Sequence, residues 1–116
     1  FAVPYGNIGF AYMQIGEVEK AIEMLHQAVK KDPMFVQAIS VLGSAYLYQG
    51  QIEESIAQSE KAIEIAPQFA IAHNNLAVAY LQRGDVKKAI DHCDKALAYG
   101  YEVHPEFLKE LKALRK

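Results

Sequence analysis

Hydrophobic and polar positions divide the chain into two kinds of segment that alternate. Segments 2–15, 36–49 and 70–83 consist of apolar, small and uncharged polar residues and contain one charged residue, Arg83. The segments that follow them mix apolar residues with most of the acidic and basic side chains. In both kinds, apolar residues recur three and four positions apart, as in Leu76, Ala79 and Tyr80. This spacing is typical of amphipathic α-helices.

Turn-forming residues mark where these helices end. Gly16, Gly50 and Gly84 lie between the two helices of each pair, at a point where the backbone needs a positive φ. Pro33 and Pro67 end second helices, because proline disfavours the helical conformation in the residue before it. We predict six paired helices, over about 3–15 and 17–31, 36–49 and 51–65, and 70–83 and 85–98.

The chain repeats itself with a period of 34 residues. The columns that agree include Tyr12, Tyr46 and Tyr80; Gly16, Gly50 and Gly84; Ile22, Ile56 and Ile90; Ala11, Ala45 and Ala79; and Ala28, Ala62 and Ala96. Pro33 pairs with Pro67 and Phe35 with Phe69. This order of apolar, small, Tyr, Gly, Ala and Pro positions resembles the tetratricopeptide repeat, over residues 2–35, 36–69 and 70–103.

The resemblance implies an all-α fold, a right-handed superhelical solenoid of three antiparallel helix pairs. In that family the first helix of each pair lines a concave groove and the second forms the outer wall. This chain departs from the family pattern at Ile39 and His73, which replace the aromatic residue present at Tyr5, and at Ser55 and Ser59 in the fourth helix. The two serines predict a slightly looser helix.

The two ends of the array differ. Residues 105–116 open with Pro105 and carry an apolar stripe of Phe107, Leu108, Leu111 and Leu114, which predicts a seventh helix that caps the last repeat. Phe1 stands one period before Phe35, at the position that would end a preceding repeat. At this end the sequence shows no helix comparable to 105–116 that would cover the first repeat. We therefore expect a single domain over 1–116 that belongs to a longer array, with self-association through the uncapped first repeat.

The groove positions implied by the resemblance carry no charge in any of the three repeats. The residues predicted to bind a partner are Asn7, Phe10, Met13, Gln37, Val41, Ser44, Leu47, Tyr48, Ile71, Asn74, Asn75, Val78 and Leu81. Their apolar members suit an apolar or amphipathic peptide segment, and the amides can donate and accept towards its backbone. Asn7 and Asn75 have a second interpretation, as helix-packing residues. The alternative occupants of the groove are a segment of the protein itself and a second copy of the chain.

Some family members hold a C-terminal carboxylate with a clamp of Lys, Arg and Asn side chains. The matching positions here are Gly6, Phe10, Val41, Ile71 and Asn75, and none of them is a cation. Burying a carboxylate without a counter-charge costs several kcal/mol. The sequence therefore argues against a clamp of that type.

Composition narrows the classes of partner. The net charge is −2 and 22% of residues are charged, so no basic face favours nucleic acid. No apolar run reaches the length of a membrane span, and we predict neither nucleic acid nor membrane insertion. The single cysteine, Cys93, falls at a buried position and excludes an internal disulfide.

We find no constellation of residues for catalysis, a metal or a cofactor. His73 is expected to be packed, His26 and His92 to lie on a solvated surface, and His104 to cap the last helix. The predicted function is non-catalytic protein–protein interaction through the groove. Two alternatives remain open at this stage: a substrate-recognition domain of a larger enzyme, and a self-assembling module.

Overall fold

A computed structural model describes residues 1–115 of the chain, which form seven α-helices and no strand within that range. The helices are α1 Ala2–Gln14, α2 Val18–Lys31, α3 Val36–Tyr48, α4 Ile52–Ile65, α5 Ala70–Arg83, α6 Val86–Ala98 and α7 Pro105–Leu114. The predicted all-α solenoid of three helix pairs plus a seventh helix is confirmed, and the predicted ends agree with these bounds to within one or two residues.

The helix ends follow from the turn residues. Gly84 has φ 92° at the end of α5, and Gly16 and Gly50 also have positive φ at the equivalent turns. A side chain at such a φ is strained, which explains glycine there. Asp32 and Ala66, which precede the two prolines, have extended backbone and end α2 and α4.

Small residues let the two helices of each pair approach closely. A Cβ atom on Gly9 of α1 would lie 2.7 Å from Leu25 Cγ of α2, and one on Gly43 of α3 would lie 2.7 Å from Ser59 Oγ of α4. Both distances are far below van der Waals contact, so a larger residue would force the helices apart. Fully buried alanines, among them Ala21, serve the same close packing.

The core runs along the whole stack as three neighbouring clusters. One is centred on Leu25 and Leu42, a small one on Ile39 between the second and third repeats, and the third on Leu76 and Cys93. Two buried serines of α4, Ser55 and Ser59, place hydroxyls in this interior without a hydrogen-bond partner among the described residues.

The seventh helix packs on the last pair, as expected of a cap. Leu111 is 1% exposed and joins the cluster that contains Cys93, with Phe107 and Leu108 half-buried beside it. The His104 side chain accepts a hydrogen bond from the Glu106 backbone N–H at 3.1 Å and so caps this helix as predicted. The prediction that Leu114 is buried with the rest of the stripe was wrong. Leu114 is the final residue of α7 and is 41% exposed.

None of the helices in residues 1–115 combines the length and the apolar character that a membrane crossing requires.

Candidate functional site

The first helices of the three pairs form one continuous layer. Helix α3 contacts α4, with which it forms a pair, and α2 of the preceding pair. It also contacts α1 and α5, the first helices of the neighbouring pairs. In a curved stack, consecutive helices come closest on the inner side, so α1, α3 and α5 provide the concave face. We call this face the groove, and the residues predicted to bind a partner all lie on its three helices.

The thirteen predicted residues all lie on α1, α3 and α5 and differ in exposure. Asn7, Gln37 and Tyr48 are exposed. The half-buried ones are Phe10, Met13, Val41, Ser44, Leu47, Ile71, Asn74, Val78 and Leu81. Asn75 alone is buried, at 4% exposure. Twelve of the thirteen therefore keep surface that a ligand could reach.

The apolar groove residues are anchored in the core beneath them. The ring of Phe10 meets Phe35 edge to face at 6.3 Å between centroids, and Gly6 leaves the space that Phe35 occupies. Leu47 and Leu81 pack with part of their surface against the cluster around Leu76. An anchored side chain loses little further freedom when a ligand covers it, and this favours binding.

Tyr48 is the most exposed aromatic residue of this layer, with 79% of its surface accessible. It is the last residue of α3 and directly follows Leu47 in the sequence. Tyrosine buries a large apolar ring while its hydroxyl remains able to hydrogen-bond, and such residues often dominate binding energy at interfaces.

Asn75 uses its amide within the fold. Its Nδ2 donates to the Ser40 carbonyl oxygen at 2.8 Å, and its Oδ1 accepts from Ser44 Oγ at 3.0 Å. One period earlier in the chain, Val41 stands in place of Asn75 and Phe10 in place of Ser44. Both of these apolar side chains pack against the cluster around Leu25 and Leu42. The geometry thus supports the packing interpretation of Asn75, while the exposed Asn7 keeps its amide free for a ligand.

Arg83 is the one basic residue of the three groove helices, and it is paired with other side chains. Arg83 Nη1 donates to Glu53 Oε1 at 3.0 Å, and its guanidinium lies 5.0 Å from the centre of the Tyr80 ring. Both contacts hold Arg83 at the α4–α5 side of the groove. The concave face therefore presents no unpaired charge from these three helices.

A cluster of four ring side chains lies behind α5 and was not foreseen. His73, 3% exposed, places Nδ1 3.0 Å from His92 Nδ1, and its Nε2 lies 2.7 Å from the Pro67 carbonyl oxygen. Tyr80 stacks on His92, and Tyr99 packs against His73. The 34-residue period predicted that His73 is packed. It could not predict that His92 is its partner, because the other repeats have no histidine at the position of His92.

The prediction that His92 lies on a solvated surface was wrong. The side chain is half-buried between α5 and α6, and burial, followed by the neighbouring His73 and Lys95, lowers the pKa of His92 to about 4. His26 is exposed as expected, although its Nε2 lies 2.7 Å from Tyr46 Oη. Cys93 is fully buried, and burial raises the pKa of its thiol.

Residues 1–115 contain no group of three or more His, Cys, Asp or Glu side chains placed to hold a metal ion. A cleft of about 480 Å³ is lined by Asn74, Tyr101, Glu102, Val103, His104 and Pro105. This cleft lies between α5 and the connection from α6 to α7, and Asn74 is the one predicted groove residue that lines it.

Comparison with known proteins agrees with this architecture. The family described as Tetratricopeptide repeat matches residues 8–68 and 40–102. The crystal structure of the protein MamA superposes with a TM-score of 0.77 at 29% identity, over 98% of this chain and 61% of that one. The chain thus spans less than two thirds of that relative.

Two other solved structures superpose more closely. The tetratricopeptide domain of Sgt2 from Aspergillus fumigatus gives a TM-score of 0.87 at 25% identity, over 97% of this chain and 78% of that one. The first such domain of Spaghetti (RPAP3), solved bound to the HSP90 peptide SRMEEVD, gives 0.87 at 17% identity, over 97% and 89%. A search of curated proteins returned no significant match.

Proposed function

The chain belongs to the tetratricopeptide repeat family, and from that premise we propose that it is a non-catalytic interaction module whose groove binds an apolar or amphipathic peptide segment of a partner protein. The single observation that carries the proposal is the row of accessible, uncharged side chains along α1, α3 and α5. A surface of this length without charge is unusual for a face that only meets water.

The apolar groove residues define the chemistry of the ligand. Phe10, Leu47 and Leu81 are half-buried and spread over the three repeats, and Tyr48 is exposed beside Leu47. An amphipathic helix could set its apolar side against this row, as helices do in other hydrophobic grooves. Each fully covered side chain of this size contributes on the order of 1.5–3 kcal/mol before the entropy of association is subtracted.

The free amides supply polar contacts of low selectivity. Asn7 and Gln37 are exposed and Asn74 is half-buried, and the amide of each can both donate and accept. They can therefore satisfy the backbone of a bound segment without selecting its side chains. Sequence preference would then come from the apolar row and from Tyr48.

An acidic peptide is disfavoured on electrostatic grounds. The family's clamp positions hold no cation here, and Arg83 is paired with Glu53. A carboxylate in this groove would lose water without gaining a counter-charge, at a cost of several kcal/mol. A peptide such as SRMEEVD, which is bound to the Spaghetti domain, is therefore a suitable negative probe.

The proposal is tested with synthetic peptides and fluorescence anisotropy. The probes are neutral amphipathic helical peptides with Leu and Phe at positions i, i+3, i+4 and i+7, and SRMEEVD. We expect the neutral peptides to bind and SRMEEVD to give no saturable binding. Tyr48→Glu should weaken the neutral peptides at least about tenfold, since it places a charge against their apolar side.

The matched control is Leu97→Glu, which changes an exposed apolar residue of the second-helix layer, on α6. It should leave peptide affinity unchanged. Equal loss in both variants, or preferential binding of SRMEEVD, would contradict a role for the groove in taking an apolar segment.

A further inference from the structure

The cleft between α5 and the connection from α6 to α7 lies beside the groove and shares only Asn74 with the residues predicted to bind a partner. Two of its other lining residues are fixed in the fold. Val103 is 6% exposed, and Tyr101 is half-buried against the core cluster that contains Leu111. The volume of about 480 Å³ lies within the roughly 300–1,000 Å³ of ligand pockets. The cleft can therefore admit a long side chain of a partner.

The polar side chains at this cleft are not used by the fold. Glu102 is exposed and forms no ion pair within residues 1–115. The amide of Asn74 is half-buried and makes no hydrogen bond in the same range. No Lys or Arg is among the lining residues. A carboxylate and an amide thus border a space that supplies no counter-charge.

The start of α7 does not turn this cleft into an anion site. Pro105 has no N–H, and the Glu106 N–H donates to His104 Nδ1 at 3.1 Å. The N–H groups of Phe107 and Leu108 donate to the His104 carbonyl oxygen at 3.0 and 3.1 Å. These bonds leave the first turn no backbone donor for a ligand. The first turn also carries the carboxylate of Glu106, which opposes an anion.

We propose that this cleft receives an arginine side chain of the peptide that occupies the groove, an inference that rests on the proposed function. A guanidinium can donate to both oxygens of the Glu102 carboxylate. Its planar face suits the ring of Tyr101, and a further N–H can donate to Asn74 Oδ1. Arginine thus matches the charge, the ring and the amide of the cleft together.

Asn74 connects the cleft to the apolar row of the groove. It lies three residues after Ile71 and four before Val78, so the three share one side of α5. A peptide that covers Ile71 and Val78 therefore passes the cleft, and its arginine lies at the end that reaches the third repeat. A lone arginine does not suffice, because SRMEEVD contains one together with three acidic residues, which the uncharged groove disfavours.

Fluorescence anisotropy near neutral pH tests the proposal with the neutral amphipathic peptide that binds the groove. The peptide is used as it is, extended by arginine, or extended by citrulline, which keeps the shape of arginine without its charge. Each extension is made at either end, so the orientation of the peptide need not be known. Arginine at one end should tighten binding about three- to tenfold, and citrulline should not. Raising salt from about 50 to about 500 mM should reduce this gain.

Glu102→Gln should abolish the gain from arginine and leave the affinity of the unextended peptide unchanged. Its matched control is Glu23→Gln, which removes an exposed carboxylate from α2 in the second-helix layer. The control should keep the gain. This comparison separates the pairing with Glu102 from the overall change in charge.

Blocked arginine alone tests the cleft without the groove. Titrated to about 50 mM, it should shift the backbone NMR signals of residues 101–103 with a dissociation constant on the order of 10 mM, and blocked citrulline should not. If the neutral peptides fail to bind but blocked arginine gives these shifts, the groove proposal is wrong and the cleft stands. No gain at either end together with no response to blocked arginine would overturn the inference, as would an equal gain in Glu102→Gln.

Discussion

His73 and His92 face each other through their Nδ1 atoms, 3.0 Å apart, across the packing of α5 and α6. The other ring nitrogen of His73 lies 2.7 Å from the Pro67 carbonyl oxygen, which can only accept, so His73 Nε2 carries a hydrogen. In its neutral form His73 then accepts at Nδ1, and His92 donates to it. This arrangement fixes the tautomers of both rings and places the hydrogen of neutral His92 on Nδ1.

The first prediction concerns pH. The pKa of His92 is lowered to about 4 from its ordinary 6.5, first by burial, then by His73 and Lys95, with Lys88 adding to them and Asp91 opposing. The unfolded chain therefore binds this proton more readily, so the stability present above pH 6.5 is lost as pH falls towards 4. After allowance for solvent screening at this half-buried site, we expect a loss of about 1–3 kcal/mol.

Chemical denaturation at pH 7, 5.5 and 4 measures this loss, with His92→Gln as the reference chain. The free energy of unfolding of His92→Gln is subtracted from that of the parent chain at each pH, which removes the contribution of the carboxylates. The difference should decline between pH 6.5 and 4, and NMR should show the His92 ring titrating near 4. An ordinary titration of His92 near 6.5 would disprove the explanation.

The second prediction concerns the capping helix. Leu111→Ala should lower the free energy of unfolding by about 2–5 kcal/mol, because the side chain is 1% exposed and its removal leaves a cavity against the cluster that contains Cys93. Leu114→Ala on the same helix should change it by less than about 0.5 kcal/mol, since Leu114 is 41% exposed. Thermal denaturation followed by circular dichroism compares the two, and equal effects would mean that α7 does not cap the core.

The third prediction concerns the contact between α3 and α4. Gly43→Ala should destabilise the fold by about 1–3 kcal/mol, since its Cβ would lie 2.7 Å from Ser59 Oγ. Ser59→Ala should stabilise it by about 0.5–1 kcal/mol, because the buried hydroxyl has no hydrogen-bond partner within residues 1–115. In the double variant Gly43→Ala should cost less than alone, because the clashing oxygen is gone.

Urea denaturation of the two single variants and the double variant gives the coupling energy. Ser44→Ala is the contrasting variant, because this serine does donate a hydrogen bond, to Asn75 Oδ1 at 3.0 Å. It should destabilise the chain. Additive effects of Gly43→Ala and Ser59→Ala would show that the helices separate for a different reason.

Most of the architecture could be predicted from the sequence because it depends on local and periodic signals. The 34-residue period, the glycines at the turns and the residues before proline set all seven helices within one or two positions. The first helices, with Arg83 as their one charged residue, indicated the layer formed by α1, α3 and α5. These features depend on residue type at fixed spacing, which a single sequence displays directly.

The side-chain partners could not be predicted in the same way. His92 has no counterpart in the other repeats, so its contact with His73 arises from packing between helices and not from the period. Asn75 and Asn7 occupy the same repeat position, yet one is buried and the other exposed, because only Asn75 has Ser40 and Ser44 in front of it. Leu114 fits the apolar stripe but lies where α7 has already left the core.

The hydrogen bonds of Asn75 also make the order of the repeats matter for stability. Asn75 Oδ1 of the third repeat accepts a hydrogen bond from the Ser44 hydroxyl of the second repeat. The first repeat has Phe10 at the position of Ser44. Joining the third repeat directly to the first would set an amide oxygen against an aromatic ring and leave it unpaired in the interior, at a cost of about 1–3 kcal/mol. Deletion of the second repeat is therefore expected to destabilise the chain at this contact.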